Sequence, residues 1–328
     1  MIEFTALVDL AAERLGGAVL AANDEFFAPR ENLLRSAAPV WREGEYTDRG
    51  KWMDGWETRR RREPGHDWAI IRLGLPGIVR GVVVDTAFFR GNYPEHCSLE
   101  ACDAPPDADA ARLSSVSWTP ILAKSSLQGD AQNRLAVESP QRWTHVRFNI
   151  FPDGGVARLR VHGEVVPDWE GLLRRGGWVD LAALKHGGRV VAQSDAFYGN
   201  ANNMLQPGRS TFMGDGWETR RRRGPGHDWA IVRLGRAGTI QRVEVDTDHF
   251  KGNAPGACAL EASVTTDDEV GGARWTPLLA ETKLQPHTRH TFESLATVGG
   301  ATHVRLNIYP DGGVARLRLF GSVTAPAR

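Results

Sequence analysis

The stretch Asp54–Trp68, DGWETRRRREPGHDW, gathers four carboxylates, four consecutive arginines and a histidine into one short segment. Arginine's planar fork grips a carboxylate through paired hydrogen bonds and stays charged when partly desolvated. The run therefore suits a small carboxylated ligand better than a neutral sugar. In extended backbone, successive side chains face opposite ways, so at most two of the four arginines converge on one ligand; either Arg61 or Arg62 is the candidate. His66 titrates near neutral pH and is the leading candidate acid or base, with Glu57 second. Asn92, in the Arg90–Asn92 loop after a strand, and Asp67 are candidates for hydrogen-bonding a ligand, although Asp67 also reads as a cap on turn amides.

A second copy, DGWETRRRRGPGHDW, occupies Asp215–Trp229. It supplies the matching candidates His227, Glu218, Arg222, Arg223 and Asp228, with Asn253 in the later KGN. Asp54–Gly74 and Asp215–Gly235 agree at 19 of 21 positions, differing only at Glu63/Gly224 and Ile71/Val232. HVRFNIFPDGGVARLRVHG returns as HVRLNIYPDGGVARLRLFG. Self-similarity on this scale sets the architecture. It predicts two domains, 1–166 and 178–328, joined by a linker at 167–177.

Within each copy, short runs rich in β-branched residues alternate with Gly, Pro and Asp turns, which predicts strands throughout. AIIRLG and IVRGVVVDT read as two separate strands. PDGG reads as a hairpin turn in which Asp153 or Asp311 caps the turn itself. Only Leu7–Leu15 and Trp178–Leu184 look helical. The fold class is all-β, two tandem jelly-roll β-sandwiches. The order of loops and strands resembles the galactose-binding-like (discoidin-type) topology, in which ligands sit on loops at one end of the sandwich.

Lys plus Arg and Asp plus Glu both number 40, so the formal charge is zero. That argues against nucleic acid and against an anionic membrane surface, which recruit partners by net positive charge. Three cysteines at spacings matching no zinc or redox pattern fit reduced thiols in a cytoplasmic protein. The N-terminus carries acids where a secretory leader has a basic region, and no run is long and apolar enough to span a bilayer. No cofactor fingerprint is evident, and the histidines lack metal-ligand spacing. The sequence leaves a divalent metal assembled from distant residues open.

DLAAERLGGAVLAANDEFFAPRENLL (Asp9–Leu34), MDGWETRRRREPGHDWAIIRLG with its second copy, DTAFFRGN (Asp85–Asn92) and the two HVRxNIxPDGGVARLR strands resemble the allantoicase family over nearly the whole chain. The resemblance implies hydrolysis of allantoate to ureidoglycolate and urea in purine breakdown, two jelly-roll repeats, and homo-oligomers. Releasing intact urea requires cleavage between the central sp³ carbon and a ureido nitrogen. The three tasks are then a carboxylate clamp (Arg61 or Arg62, with Arg222 or Arg223), an acid or base (His66 and His227 before Glu57 and Glu218), and ureido hydrogen bonds (Asn92, Asn253, Asp67, Asp228). The alternatives are a non-catalytic carbohydrate-binding or adhesion module and a related ureido-compound hydrolase or lyase.

Overall fold

The computed structural model describes residues 3–265 and 270–324. Its contacts divide into two units, one ending at Val166 and one beginning at Pro167. In the first unit the strands are β1 (Val8–Asp9), β2 (Ala18–Ala22), β3 (Tyr46–Thr47), β4 (Gly50–Lys51), β5 (Trp56–Glu57) and β6 (Asp67–Asp85). They continue with β7 (His96–Cys102), β8 (Thr119–Ser126), β9 (Gln132–Ala136), β10 (Arg142–Phe151), β11 (Gly155–Val156) and β12 (Arg158–Val165). All pairings are antiparallel, and the second unit repeats the eight-stranded sheet and the counterpart of the β5–β11 pair. Each unit is an all-β jelly roll.

The two strands expected at AIIRLG and IVRGVVVDT form one strand, β6. Its first part pairs with β2 and β10, whereas its last part pairs with β9 and β12. One strand thus serves both faces of the sandwich. The crossover lies at Gly74–Gly77, where side chains have no room: a Cβ on Gly77 would lie 2.3 Å from the Glu164 carbonyl. Glycine there allows close backbone approach without ending the strand.

The helix expected at Leu7–Leu15 is absent. Val8 and Asp9 pair with Gly163 and His162, and only Glu13–Leu15 makes a single 3₁₀ turn. The Asp9 carboxylate accepts the Ala11 and Val161 amides, which ties the segment to the sheet and gives its backbone a partner other than a helix. Trp178–Leu184 behaves likewise, with Val179–Asp180 as a strand. Trp169–Arg174, inside the expected linker, is instead a short helix whose Asp168 cap accepts the Gly171 amide.

The first core is filled by Leu10, Leu33, Trp56, Ile71, Leu99, Phe148, Ile150 and Leu159, all fully buried. Burying side chains of this size removes about 1.5–3 kcal/mol each of apolar hydration cost. Trp217 and Phe250 take the places of Trp56 and Phe89 in the second unit.

Candidate active site

Two neighbouring side chains of β5 point in opposite directions. Trp56 is fully buried and its indole N–H donates to the Asp24 carbonyl at 2.8 Å, so Glu57 faces outward. The segment is anchored one turn earlier by Asp54, whose carboxylate meets Arg158 at 2.8 Å with both side chains almost wholly buried. Burial alone would raise the Asp54 pKa; the Arg158 hydrogen bond and charge outweigh it and hold the carboxyl below its usual range. Gly155 of β11 pairs opposite Glu57 and lies under Phe89, where a Cβ would come within 2.0 Å of the ring.

Glu57 Oε1 accepts a 2.7 Å hydrogen bond from the Asn92 amide nitrogen. The pair lines a cleft of about 350 Å³ with Phe27, Trp41, Lys51, Met53, Phe88, Arg90 and Gly91. Burial pushes the Glu57 pKa up, and the Asn92 bond only partly offsets that shift. Two cations overlook it. The Lys51 ammonium sits 4.0 Å from the Trp41 ring centroid, and Arg90 pairs with Asp130 at 3.0 Å. In the second unit Asn253 donates to Glu218, Lys251 stands where Arg90 does, and His249 replaces Phe88.

The arginine run divides by alternation. Arg59 pairs with Asp24 at 2.6 Å, while the Arg61 amide donates to Asp153 at 2.9 Å and its guanidinium meets Asp67 at 2.7 Å. Asp67 also accepts from Asn23 at 2.9 Å and is almost wholly buried. Arg222 pairs with Asp228 in the same way. Arg61, Arg222, Asp67 and Asp228 are therefore engaged with one another, and Asp153 and Asp311 hold the arginine run where turn caps were expected. Arg62 and Arg223 are exposed.

His66 does not share a cleft with Glu57. Its ring lies over Phe151, with centroids 4.7 Å apart, at a separate cleft of about 500 Å³ formed with Trp68, Ser98, Glu100, Lys124, Arg147 and Asn149. His227 stacks on Tyr309 at the same separation, and its Nε2 lies 3.1 Å from Asn307 Oδ1. The structure thus brings Glu57 to Asn92 and Glu218 to Asn253, and places the first pair and His66 in different clefts.

Lys51 and Trp41 join the Glu57 cleft without having been among the sequence candidates. Comparing the copies hides Lys51, because Phe212 occupies its position in the second. Arg90 was legible as the cation that Lys251 repeats. Among the described residues, no group of three or more His, Cys, Asp or Glu is placed to hold a metal ion.

Residues 8–166 and 179–324 each match the family model described as Allantoicase repeat. A Pseudomonas aeruginosa (strain UCBPP-PA14) protein named "Probable allantoicase" is 49% identical over 332 residues, covering 98% of both chains. The Dictyostelium discoideum protein named "Allantoicase" is 48% identical, covering 95% of this chain and 86% of its own. The crystal structure of allantoicase from Saccharomyces cerevisiae superposes with a TM-score of 0.80 at 36% identity, covering 97% of this chain and 93% of that one. With both halves matched and relatives near half identity along the whole length, this chain belongs to the allantoicase family.

Proposed function

We propose that the allantoicase reaction of this chain, hydrolysis of allantoate to ureidoglycolate and urea, takes place over Glu57, with Glu218 at the corresponding but far less active position of the second repeat. The Glu57–Asn92 pair at the base of the cleft carries this reading. Allantoate bears one carboxylate and two ureido groups on a single carbon. Lys51 and Arg90 supply positive charge for the carboxylate, and Asn92 can turn its amide to a ureido arm.

The bond to be broken resembles that of an aminal. A carboxyl whose pKa burial has raised holds its proton more readily, and here it donates that proton to the leaving ureido nitrogen. As urea departs, the lone pair of the remaining ureido nitrogen forms a carbon–nitrogen double bond, giving an acylimine-type species. Water then adds to that carbon, and the Glu57 carboxylate takes one proton from it, which restores the acid. The atoms balance: one water enters, and urea and the hydroxyl-bearing product leave. Proton transfer is assigned to Glu57 and not to His66 because the imidazole lines another cleft.

Urea release from allantoate tests the assignment. Glu57→Gln keeps the shape and the Asn92 contact but removes the proton donor, and turnover is expected to fall ~10²–10⁴-fold. Full activity in E57Q, with loss on His66→Ala, would return the acid–base role to the histidine.

Family membership sets aside the non-catalytic binding-module alternative. No helix among the described residues is long and apolar enough to cross a membrane. A cytoplasmic location is part of the proposal, supported by three buried cysteines, all unpaired. So is a homo-oligomer, supported by the exposed aromatic side chains Tyr46, Phe197, Tyr198 and Phe212.

A further inference from the structure

The histidine cleft of the first repeat is a built constellation that the reaction over Glu57 does not use. Glu100 accepts from Arg147 Nε at 2.7 Å and from Asn149 Nδ2 at 2.9 Å, and the Arg147 guanidinium lies 4.9 Å from the Trp118 ring centroid. Packed in this way, the arginine is held in place while its terminal nitrogens have no hydrogen-bond partner among the described residues. Lys124 of β8, beyond β7 from β10, stands 4.7 Å over the Phe151 ring. Asn149 is 3% exposed, and its Oδ1 has no hydrogen-bond partner. A buried acceptor left unpaired at a cleft is costly unless a ligand supplies a donor.

We propose that this cleft is a second binding site, selective for a small carboxylate carrying a ureido or amide arm. Arg147 and Lys124 hold the carboxylate, the ureido N–H satisfies Asn149 Oδ1, and His66 and Phe151 form the wall. The anionic group within reach is Glu100, already neutralised by Arg147, so the cleft carries net positive charge from Lys124, before any protonation of His66.

The second repeat provides the internal contrast. It keeps the scaffold: Arg305 pairs with Glu261, Asn307 donates to Glu261 at 3.0 Å, and Arg305 lies 5.0 Å from the Trp275 ring centroid. Its chemistry is nevertheless closed to an anion. Glu281 replaces Lys124, and Arg305 commits both Nε and Nη2 to Glu261. His227 already occupies Asn307 Oδ1 at 3.1 Å. Binding is therefore expected in the first repeat and not in the second.

N-carbamoylglycine, which has one carboxylate and one ureido arm, is the probe. Crystals of the full chain soaked with it are expected to show the probe against Arg147 and Lys124 in the first repeat, and none beside Arg305. In solution titration, Lys124→Glu should weaken binding at this site at least ~10-fold, since one charge-assisted contact is replaced by repulsion. Its allantoate turnover should stay unchanged, because Lys124 lies outside the Glu57 cleft. Glu57→Gln should keep the probe bound here, which separates this proposal from the assignment of the reaction. A probe found only over Glu57, or K124E binding as tightly as the parent, would overturn the second site.

Discussion

At the scale of single residues, the site rests on one carboxyl group placed where water cannot fully stabilise its charge. Burial raises the Glu57 pKa, so the fold favours the protonated form. The stability linked to that proton is complete below the ordinary glutamate value of about 4.3 and is lost as pH rises through the folded pKa. Glu57→Gln, which has no proton to lose, should therefore melt at the parent's temperature near pH 4 and above it near pH 8; a thermal scan across that range checks the sign. Turnover should fall on the alkaline side as the same proton leaves. Among the candidates, Glu57 and Asn92 were legible from residue type and from their recurrence in both copies. Asp67 and Arg61 were legible as residues but not as partners of each other, because which carboxylate an arginine meets depends on side-chain direction in folded space. The cysteines show the same dependence: burial pushes Cys97 and Cys258 up to about 12, a property no spacing reveals.

At the scale of elements, the two-residue strand pair β5–β11 sets the cleft. Glu57 projects into the cleft because Trp56 is driven inward, and Gly155 lets Phe89 close beneath the pair. Gly155→Ala must displace that ring, since the new methyl would fall within 2.0 Å of it. The cost is expected at ~1–3 kcal/mol, read as a shift in urea midpoint, with an accompanying loss of turnover because Glu57 is the register partner of Gly155. Gly313→Ala, under Phe250, should cost a similar amount without touching the first cleft. The strands were readable from β-branched runs and turn residues, but the expected helix at Leu7–Leu15 was not formed. A short amphipathic segment has too little helical stability of its own to resist pairing with β12, especially when Asp9 captures amides of both.

At the scale of the molecule, duplication yields two copies of one scaffold with different chemistry. The first cleft adds Lys51; in the second, Phe212 stands at the Lys51 position and His249, at the Phe88 position, joins Asp248 and His287, whose Nδ1 lies 2.9 Å from the Asp248 carboxylate. Glu218→Gln is accordingly expected to lower turnover less than about tenfold, and the E57Q/E218Q double variant should match E57Q alone within that margin. Equal losses in the two single variants, measured by urea release, would instead make the clefts equivalent. The sequence by itself determined the repeat, the all-β class, the family and the residue types available for acid–base and anion chemistry. These depend on local pattern and on self-similarity, both of which are written along the chain. Only the tertiary structure decided that His66 and Glu57 serve different clefts, that Arg59 and Arg61 are taken up by Asp24 and Asp67, and that Lys51 and Arg90 join Asn92. Those outcomes depend on which strands cross and which faces turn inward, and packing settles them over distances that sequence spacing does not encode.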